Sequence, residues 1–317
     1  MRLLITGAGG FAGSHLAELC AARGDEVWGT VWPVRAQADL APRYGERHLI
    51  PLHIADADGV VAAVRRAQPE GVVHLAGMAF VPQATRNPRA AYDANFTGTV
   101  NLLAALARHA PAARAVIVTS ADAYGPVPAD RQPITEDEPL CPVTVYGVSK
   151  AAADVAARQA ARGNRQPVIV ARPFNHIGPR QHPDFVAASF ARQIAQLERG
   201  GREAVLRTGD LTAVRDFSDV RDIVAGYRLL LDRGVPGEAY NLGSGTGRTI
   251  QELLDGLRAL ATVPISAETD PARLRASDTP RVVGAQDKMR ALGWQPRQTW
   301  TDTLRATLDY WREQCGH

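Results

Sequence analysis

The chain has 317 residues, with 36 Lys or Arg, 33 Asp or Glu and a formal net charge of +3. Its lysines are Lys150 and Lys288, and all other basic residues are arginines spread among acids along the chain. A nucleic-acid-binding protein concentrates positive charge on one face or in a tail. The even spread of basic and acidic residues here argues against nucleic-acid binding. With 45% hydrophobic and 22% charged residues, the composition is that of a globular chain, neither disordered nor fibrous.

The chain lacks the sequence marks of a membrane, secreted or metal-binding protein. Its apolar runs are shorter than the ~20 residues that span a bilayer, and its amino-terminal apolar stretch is too short for a secretory signal. Cys20, Cys141 and Cys315 are odd in number and widely spaced, which argues against a disulfide framework. The histidines show no metal-ligand spacing. We therefore expect a cytoplasmic protein with no membrane segment and no metal site.

Up to residue 172, short apolar runs alternate with longer helical patterns. The predicted strands are 3–6, 27–31, 49–52, 72–75, 115–119 and 168–171. The predicted helices are 13–23, closed by Gly24, then 59–68, 88–109, and 145–162, closed by Gly163. Helices that alternate with all-apolar strands predict an α/β fold, a Rossmann-type doubly wound parallel sheet covered on both faces.

After Arg172 the pattern changes to loops rich in Pro, Gly and Arg, with short helices such as 185–199. A strand at 238–242 is predicted to return to the main sheet. From Ile250 onward the chain is predicted to be helical, with an irregular basic insert at about 271–284. We therefore expect a smaller carboxyl-terminal lobe that is interleaved with the sheet.

A glycine-rich segment, TGAGGFAG at residues 6–13, stands where the first strand meets the first helix. Glycines there let the backbone approach a pyrophosphate, whose charge is stabilised by the amino-terminal end of the helix dipole. Two registers fit: Gly7, Gly9 and Ala12 match the usual dinucleotide spacing, and Gly7, Gly10 and Gly13 match a G-x-x-G-x-x-G variant. Either register predicts a dinucleotide-binding loop.

The end of the second predicted strand bears on which dinucleotide is bound. An Asp or Glu at this place normally binds the adenosine ribose of NAD. Here residues 31–35, VWPVR, contain no acid and end at Arg35. An arginine can accept the 2′-phosphate of NADP, so NADP(H) is favoured over NAD(H). A solvated Arg35 in a loop is the open alternative.

Tyr146 and Lys150 lie four residues apart near the start of a long predicted helix, so they share one helix face. With so few lysines, this spacing is expected by chance only about 0.04 times in such a chain. A phenol acts as an acid or base near neutrality only if its pKa falls by roughly 3, and Lys150 and an oxidised nicotinamide are the expected sources of positive charge. We predict that the two residues form a catalytic pair.

Ser120 follows the fifth predicted strand, in the segment TSADAYG at residues 119–125. Open α/β sheets place their sites at the carboxyl ends of their strands. A hydroxyl there can hydrogen-bond the oxygen of a reacting carbonyl and share its developing charge. Capping of the strand end is the alternative, and the presence of Tyr146 and Lys150 favours the catalytic role.

Taken together, these segments resemble the extended short-chain dehydrogenase/reductase family that acts on nucleotide sugars, over essentially the whole chain. Its landmarks occur in order: the glycine loop, HLAG at 74–77, Asn95 with GTVNLL at 98–103, Ser120, Tyr146, Lys150, RPFNHIGP at 172–179 and RDFSDVRD at 215–222. The last two segments are most similar to the GDP-mannose branch of the family.

The resemblance implies a domain organisation and partners. Residues 1–172, with return segments near 213–242, are expected to bind the dinucleotide, and residues 173–317 mainly a nucleotide-diphosphate sugar, with GDP favoured. A homodimer packed through the helices at about 88–109 and 145–162 is also implied.

The resemblance further implies individual roles. Tyr146 is expected to be the acid/base, Lys150 to hold the nicotinamide ribose, and Ser120 to polarise the sugar C4 carbonyl. The implied cofactor contacts are Gly7, Gly10, Phe11, Ala12, Gly13, Arg35, Asp56, Leu75, Ala76, Tyr146 and Lys150. The implied substrate contacts are Asp122, Asn175, Arg180, Arg215, Arg275 and Asp278, with Asn175 and Arg215 at the diphosphate. For Arg275 a plain surface charge is the alternative.

The chain departs from the family pattern at two places. A 4,6-dehydratase of the family carries Thr-Asp-Glu at the fifth strand end, and its Asp and Glu are the acid and base of water elimination. The corresponding residues here are Ser120, Ala121 and Asp122, so the acid is missing and dehydration is disfavoured. His53 stands where the family often has an Asp that binds adenine, which leaves the adenine contact open.

Three functions are compatible with these residues. The favoured one is an NAD(P)H-dependent reductase of the C4 ketone of a nucleotide-linked 6-deoxy-4-keto-hexose, making GDP-rhamnose or a related deoxysugar. A nucleotide-sugar 4-epimerase uses the same residues but consumes no net cofactor. A non-catalytic dinucleotide-binding sensor is the alternative of another class, and it has no need of Tyr146 and Lys150 at helical spacing.

Overall fold

The computed structural model describes residues 1–32, 48–200, 204–274 and 279–316. Within these ranges one large sheet contains β1 (Arg2–Thr6), β2 (Glu26–Val31), β3 (Leu49–Pro51), β4 (Gly71–His74), β5 (Arg114–Val118), β6 (Val168–Pro173) and β10 (Ala239–Leu242). All neighbouring strands are parallel, in the order β10-β6-β5-β4-β1-β2-β3. The predicted parallel sheet and the predicted return of 238–242 to it are confirmed.

Helices cover both faces of this sheet. They are α1 (Phe11–Ala22), α2 (Ala57–Ala67), α3 (Val81–Arg86), α4 (Pro88–Tyr92), α5 (Gly98–His109), α6 (Val145–Asn164) and α8 (Val220–Arg233). Successive strand residues point to opposite faces, so Leu3 and Ile5 pack with α1 and α8, while Leu4 packs with α2 and α5. The strand order reverses between β1 and β4, and the crevice at their carboxyl ends is where such sheets bind ligands.

Two predicted helices differ from the structure. The helix expected over 88–109 is interrupted by a π-helical segment, Asp93–Thr97, between α4 and α5. The helix expected to close at Gly163 continues to Asn164, and the left-handed residue that ends it is Arg165, with φ of 55°. Asn and Asp are the non-glycine residues that usually adopt that conformation, so an arginine there was not anticipated.

The carboxyl-terminal lobe contains more strand than the sequence predicted. A smaller sheet is built on β9 (Val214–Asp219), which pairs with β7 (Asn175–Ile177), β11 (Gly247–Thr249) and β13 (Arg281–Val282). A separate pair joins β8 (Val205–Thr208) to β12 (Ser266–Thr269). The lobe also contains α7 (Val186–Glu198), α9 (Ile250–Arg258), α10 (Asp287–Ala291) and α11 (Trp300–Gly316), and α7, α9 and α11 enclose a second apolar core.

The two parts of the chain are interleaved. β9 belongs to the smaller sheet, but α8 and β10, which follow it, belong to the large sheet. The division into a dinucleotide-binding and a substrate-binding domain remains a prediction. Among the described residues, no helix is both long and apolar enough to cross a bilayer, and no group of three His, Cys, Asp or Glu is arranged to hold a metal ion.

Candidate active site

The glycine loop brings the start of α1 against β1 and β4. Gly7 has φ of +72°, and a Cβ atom there would lie 2.8 Å from the backbone nitrogen of Ala76. A Cβ atom on Gly13 would lie 2.2 Å from the carbonyl oxygen of Gly7. The amide of Gly10 donates to that same oxygen at 2.9 Å. Because these approaches involve Gly7, Gly10 and Gly13, the structure supports the G-x-x-G-x-x-G register.

The amino-terminal end of α1 fits an anionic ligand. Gly10 is its N-cap and makes no side-chain capping bond, and the first turn, which begins with Phe11 and Ala12, contains no acidic residue. The amide groups that open a helix have no partner within the helix, and the helix dipole favours negative charge beside them. The loop is therefore suited to the pyrophosphate of a dinucleotide, the group expected from the sequence.

Other residues expected at the cofactor lie around this loop. The amides of Leu75 and Ala76 both donate to the hydroxyl of Thr6, at 3.2 Å each, which holds the segment after β4 beside the glycines. Asp56 caps α2, and its carboxylate accepts from the Gly59 amide at 3.1 Å. A cofactor contact of Asp56 stays a prediction. Arg35 lies outside the described residues.

The three predicted catalytic residues come from two neighbouring elements. Ser120 caps a short helical turn after β5, and its hydroxyl accepts from the Asp122 amide at 3.1 Å. Tyr146 lies in the first turn of α6, which Thr144 caps, and its phenol is close enough to the Ser120 hydroxyl for that hydroxyl to lower the pKa of the phenol. The Lys150 ammonium, one turn further along α6, donates to the Val118 carbonyl at 3.0 Å. The structure therefore brings together the serine, tyrosine and lysine singled out in the sequence.

The electrostatics of Tyr146 differ from the expectation. Burial raises the pKa of its phenol, the negative charge of Asp122 raises that pKa further, and the hydrogen bond from Ser120 lowers it. Lys150, the expected source of a lowered pKa, does not act on the phenol in the protein alone. The phenol is therefore held in its protonated form near neutrality, ready to donate.

Lys150 itself titrates close to neutrality. Its side chain is 8% exposed, and burial lowers the pKa of its ammonium to about 8. Because the pKa is lowered, the positive charge is present below about pH 8 and is lost as the pH rises through that value. Neighbouring His74 is held neutral, since burial first and the Lys150 charge second lower its pKa to about 3.

Lys150 is predicted to hold the nicotinamide ribose, and a charged donor makes the stronger hydrogen bond. We therefore expect the affinity for an NAD(P) cofactor to fall by roughly threefold to tenfold as the pH rises from about 7 to about 9.5. The measurement is the NADPH dissociation constant against pH, by fluorescence titration. Lys150→Met should bind weakly with no such pH dependence. Lys288→Met is the matched control, because the only other lysine pairs with Glu238, and it should keep the wild-type profile. A flat wild-type profile contradicts the assignment.

Three of the residues predicted to bind the substrate, Asp122, Asn175 and Arg215, come from both lobes. Asp122 is exposed, but the protein around it partly desolvates its carboxyl and raises the pKa of that group. The positive charge of Arg215 opposes the rise. Arg215 lies half-buried on β9, and Asn175, exposed on β7, is in register with Phe217 of the same strand. The charges of Asp122 and Arg215 act on each other, so this part of β9 lies near the turn that Ser120 begins.

Arg180 has well-defined partners outside that cleft wall. Its guanidinium binds the Glu18 carboxylate through two bonds, of 2.6 and 2.7 Å, and contacts His15 at 2.7 Å. Both partners are on α1, so Arg180 ties the second lobe to the first helix. A substrate contact would require it to leave this pair, and that role stays a prediction. Arg275 and Asp278 lie outside the described residues.

Two further residues belong to the site although the sequence analysis gave them no role. His176 on β7 stacks on Phe11 of the glycine loop, with ring centres 5.7 Å apart and planes 6° apart. Its Nδ1 donates to the Phe174 carbonyl and burial lowers its pKa, which leaves a neutral ring with Nε2 as an acceptor. Asn95 binds both the amide and the carbonyl of Met78. Both residues stand within motifs that carried the family resemblance, which was the available signal.

The Rossmann-type sheet, the glycine loop and the Ser120–Tyr146–Lys150 arrangement define an NAD(P)-dependent enzyme of the short-chain dehydrogenase/reductase type. The GDP-mannose 4,6 dehydratase family model matches residues 4–307, and the chain belongs to this family. It is 37% identical to the GDP-6-deoxy-D-mannose reductase of Pseudomonas aeruginosa, over 99% of this chain and 98% of that protein.

Solved structures agree with this placement. The structure of RMD from Pseudomonas aeruginosa complexed with NADPH has a TM-score of 0.87 and 34% identity, covering 99% of this chain and 100% of that one. The UDP-glucose 4-epimerase of Thermus thermophilus in complex with NAD has a TM-score of 0.87 and 30% identity, covering 98% and 99%. A probable UDP-arabinose 4-epimerase of Arabidopsis thaliana is 28% identical over 99% of this chain and 81% of that protein.

Proposed function

We propose that the protein reduces the C4 ketone of a nucleotide-linked 6-deoxy-4-keto-hexose to an alcohol at the expense of NADPH, and that GDP is the nucleotide, as in GDP-rhamnose formation. The observation that carries the proposal is the proximity of the Ser120 hydroxyl to the Tyr146 phenol, beside an apolar Ala121. Alanine has no proton to give, so the site offers a proton donor for a C4 alkoxide but lacks the acid that water elimination needs.

The chain's own residues account for the proton side of the reaction. When bound, the dihydronicotinamide supplies a hydride to C4 and is oxidised. Ser120 donates a hydrogen bond to the carbonyl oxygen, Tyr146 gives its proton to the oxygen as negative charge develops there, and Lys150 binds the ribose. A reductase starts from the protonated phenol, which is the form that Tyr146 holds near neutrality.

The substrate contacts follow from the same cleft. Arg215 is assigned to the diphosphate, because a planar guanidinium binds phosphate oxygens in pairs, and Asn175 and Asp122 to the nucleotide and sugar hydroxyls. GDP is favoured because the 37% identical relative is a GDP-sugar reductase. NADPH is favoured over NADH because the second strand end, as far as Trp32, presents no acid to the ribose, and because Arg35 follows in the sequence.

The free cysteines Cys20, Cys141 and Cys315 support a reducing, cytoplasmic location. Cys20 is buried, where the pKa of its thiol is raised to about 12 by burial, so it is an inert thiol.

We further propose that two copies associate through the outer faces of α4, α5 and α6 and of the π-helical segment. Apolar side chains there are open to solvent at helical spacing: Tyr92, Phe96, Val100, Val148 and Val155. Val148 lies between Tyr146 and Lys150 in sequence but on the opposite face of the helix. Contiguous exposed apolar patches mark protein interfaces, and a second copy supplies the same patch in return.

Val155→Asp is expected to convert the dimer to a monomer, because it places a charge in the centre of that apolar face. The measurement is the molar mass from light scattering during size-exclusion chromatography. Val235→Asp is the matched control, since Val235 is 53% exposed against 60% for Val155 and lies elsewhere, after α8. A monomeric wild-type protein contradicts the proposed dimer.

The function is tested with purified protein, NADPH and enzymatically made GDP-6-deoxy-4-keto-mannose, following absorbance at 340 nm and the sugar product. One NADPH is expected to be consumed for each ketone reduced, with a lower kcat/KM for NADH. GDP-mannose should not lose water. Interconversion of C4 epimers without net NADPH consumption would instead establish an epimerase, and tight cofactor binding with no turnover of any keto-sugar a binding module.

A further inference from the structure

A fully buried ion pair joins strand β6 to α6, the helix that carries Tyr146 and Lys150. The Arg172 guanidinium, on β6, binds the Asp154 carboxylate on α6 through two bonds of 2.8 and 3.0 Å. Arg172 is 1% exposed and Asp154 is fully buried. Removing two charges from water is costly, so such a pair is weak evidence of a stability role and needs another explanation. Neither residue can touch substrate, because solvent does not reach them.

The ion pair joins the two elements that deliver the reacting groups. Tyr146, Lys150 and Asp154 are spaced four residues apart and therefore follow one another along the same side of α6. The Thr119 hydroxyl shares its one proton between two acceptors, the Ala171 carbonyl oxygen at 3.1 Å and the Asp154 carboxylate at 3.4 Å. Thr119 directly precedes Ser120. Asp154 belongs to the same helix as Tyr146 and is thus also in contact with the strand end that precedes Ser120.

The network continues on the other side of the guanidinium through Tyr124. Arg172 donates to the Tyr124 hydroxyl at 2.9 Å and lies over its ring, 5.0 Å from the centre. That hydroxyl in turn donates to Asn241 of β10 at 2.7 Å, and Asn241 donates to the Ile134 carbonyl. Tyr124 also ends the helical turn that Ser120 begins. Together these hydrogen bonds hold the turn from Ser120 to Tyr124 in position relative to β6, β10 and α6.

We infer that Arg172, Asp154 and Tyr124 are positioning residues that set the geometry between the Ser120 hydroxyl and the Tyr146 phenol. This inference rests on the proposed reduction. The residues act through Ser120 and Tyr146 and contribute no group to the substrate. Because a misplacement of about 1 Å costs up to roughly a hundredfold in rate, a small loss of order in this network has a large effect on turnover.

The test compares Tyr124→Phe with Tyr240→Phe. Each change removes one buried phenolic hydroxyl and keeps the ring. Tyr240 lies on β10, the strand whose Asn241 accepts from Tyr124, and is 3% exposed. Its hydroxyl accepts from the Val235 amide at 3.0 Å, in the core formed with α8. We expect Tyr124→Phe to lower kcat by about tenfold or more. Its NADPH dissociation constant should be unchanged, since the glycine loop is untouched, and Tyr240→Phe should retain wild-type kcat.

The pH profile of kcat separates positioning from electrostatics. Tyr124→Phe removes no charge, so the pH at which kcat falls should stay where it is in the wild-type enzyme, and a shifted profile overturns the inference. Thr119→Val, which removes the hydroxyl that contacts Asp154, provides a second variant of nearly equal volume and is expected to lower kcat in the same way. If Tyr124→Phe fails to fold, the kcat of Thr119→Val tests the positioning role in its place, and a wild-type kcat in that variant overturns the inference.

The wild-type enzyme is measured first, which keeps the two proposals apart. Wild-type protein that reduces no keto-sugar refutes the proposed function. Active wild-type protein with equal kcat in Tyr124→Phe and Tyr240→Phe refutes the positioning role alone. A loss of kcat in Tyr124→Phe that comes with lost cofactor binding also refutes it, because general disorder would then explain the defect.

Discussion

Tyr146→Phe is expected to lower kcat for keto-sugar reduction by about a thousandfold, the effect of losing a general acid that is in contact with the reacting oxygen. The ring would still fill its place against Ala84 and Ala91, so the fold should be retained. The NADPH dissociation constant should change little, because Lys150 and the glycine loop remain. The measurements are kcat from NADPH consumption and the dissociation constant by fluorescence titration.

The control for this prediction is Tyr310→Phe, the same change at a partly buried phenol on α11. It should leave kcat within about twofold, as expected for a substitution away from any special contact. Turnover by Tyr146→Phe at more than about a tenth of the wild-type rate would contradict the role of the phenol as acid. Water or Ser120 would then have to be the proton donor.

The large sheet and the catalytic helix could be predicted because their sequence signals are local. The strands of the sheet are buried on both faces and read as uninterrupted apolar runs. That Tyr146 and Lys150 share one buried face of α6 follows from helical spacing alone. The close approach of Gly7 and Gly13 likewise matches the spacing of a known loop type, although the choice between two registers needed the structure.

The smaller sheet could not be predicted, because its central strand does not look apolar. β9 has the sequence VRDFSD and contains Asp216, which is completely buried. The Asp216 carboxylate accepts from the amides of Ser244 and Gly245, at 2.6 and 3.0 Å, and from Gly284 at 3.2 Å. These partners lie 28 to 68 residues away in sequence. A buried residue whose partners are backbone amides far away in sequence is polar, so it interrupts the apolar pattern by which a strand is predicted.

The π-helical segment was missed for a related reason. Asn95 holds the Met78 backbone through its side-chain oxygen and nitrogen and also donates to Ser149 of α6 at 2.8 Å. Contacts between three elements select the wider turn, whereas the local sequence is compatible with an ordinary helix. Single-turn π segments of this kind are frequent at functional sites, which fits the position of Asn95 beside the catalytic helix.

The pKa of Tyr146 shows where spacing alone misleads. Four-residue spacing places Lys150 on the same helix face, but the balance of burial, Asp122 and Ser120 decides the titration. Lys150 donates to Val118 instead. The protein alone therefore favours the protonated, proton-donating form of the phenol.

Gly13→Ala is expected to lower the free energy of unfolding by about 2–3 kcal/mol, the usual cost of forcing an extra carbon into a packed site. Ordinarily Gly→Ala inside a helix is stabilising by roughly 0.5–1 kcal/mol. Here the sign reverses, because the new Cβ atom would lie 2.2 Å from the Gly7 carbonyl oxygen and 2.9 Å from the Ala8 Cα atom. Backbone atoms cannot rotate away, so α1 must move off β1.

That displacement should also weaken NADPH binding by at least about fiftyfold, since the amides at the start of α1 would no longer meet the pyrophosphate. Gly10→Ala is the matched control in the same loop. Its Cβ atom would lie 3.2 Å from the same oxygen, and Gly10 is exposed. It should therefore change the unfolding free energy by less than about 1 kcal/mol, as expected of an N-cap substitution. It should still lower the affinity for NADPH.

The two variants separate two uses of glycine in one loop. Gly13 is required for packing between α1 and β1, and its loss should be visible in chemical denaturation without any ligand. Gly10 is required for access of the ligand, and its loss should be visible only when NADPH is present. Equal stability of Gly13→Ala and wild-type protein would show that α1 can shift without cost, and would contradict the close approach of Gly13 to Gly7 as the feature that fixes the loop.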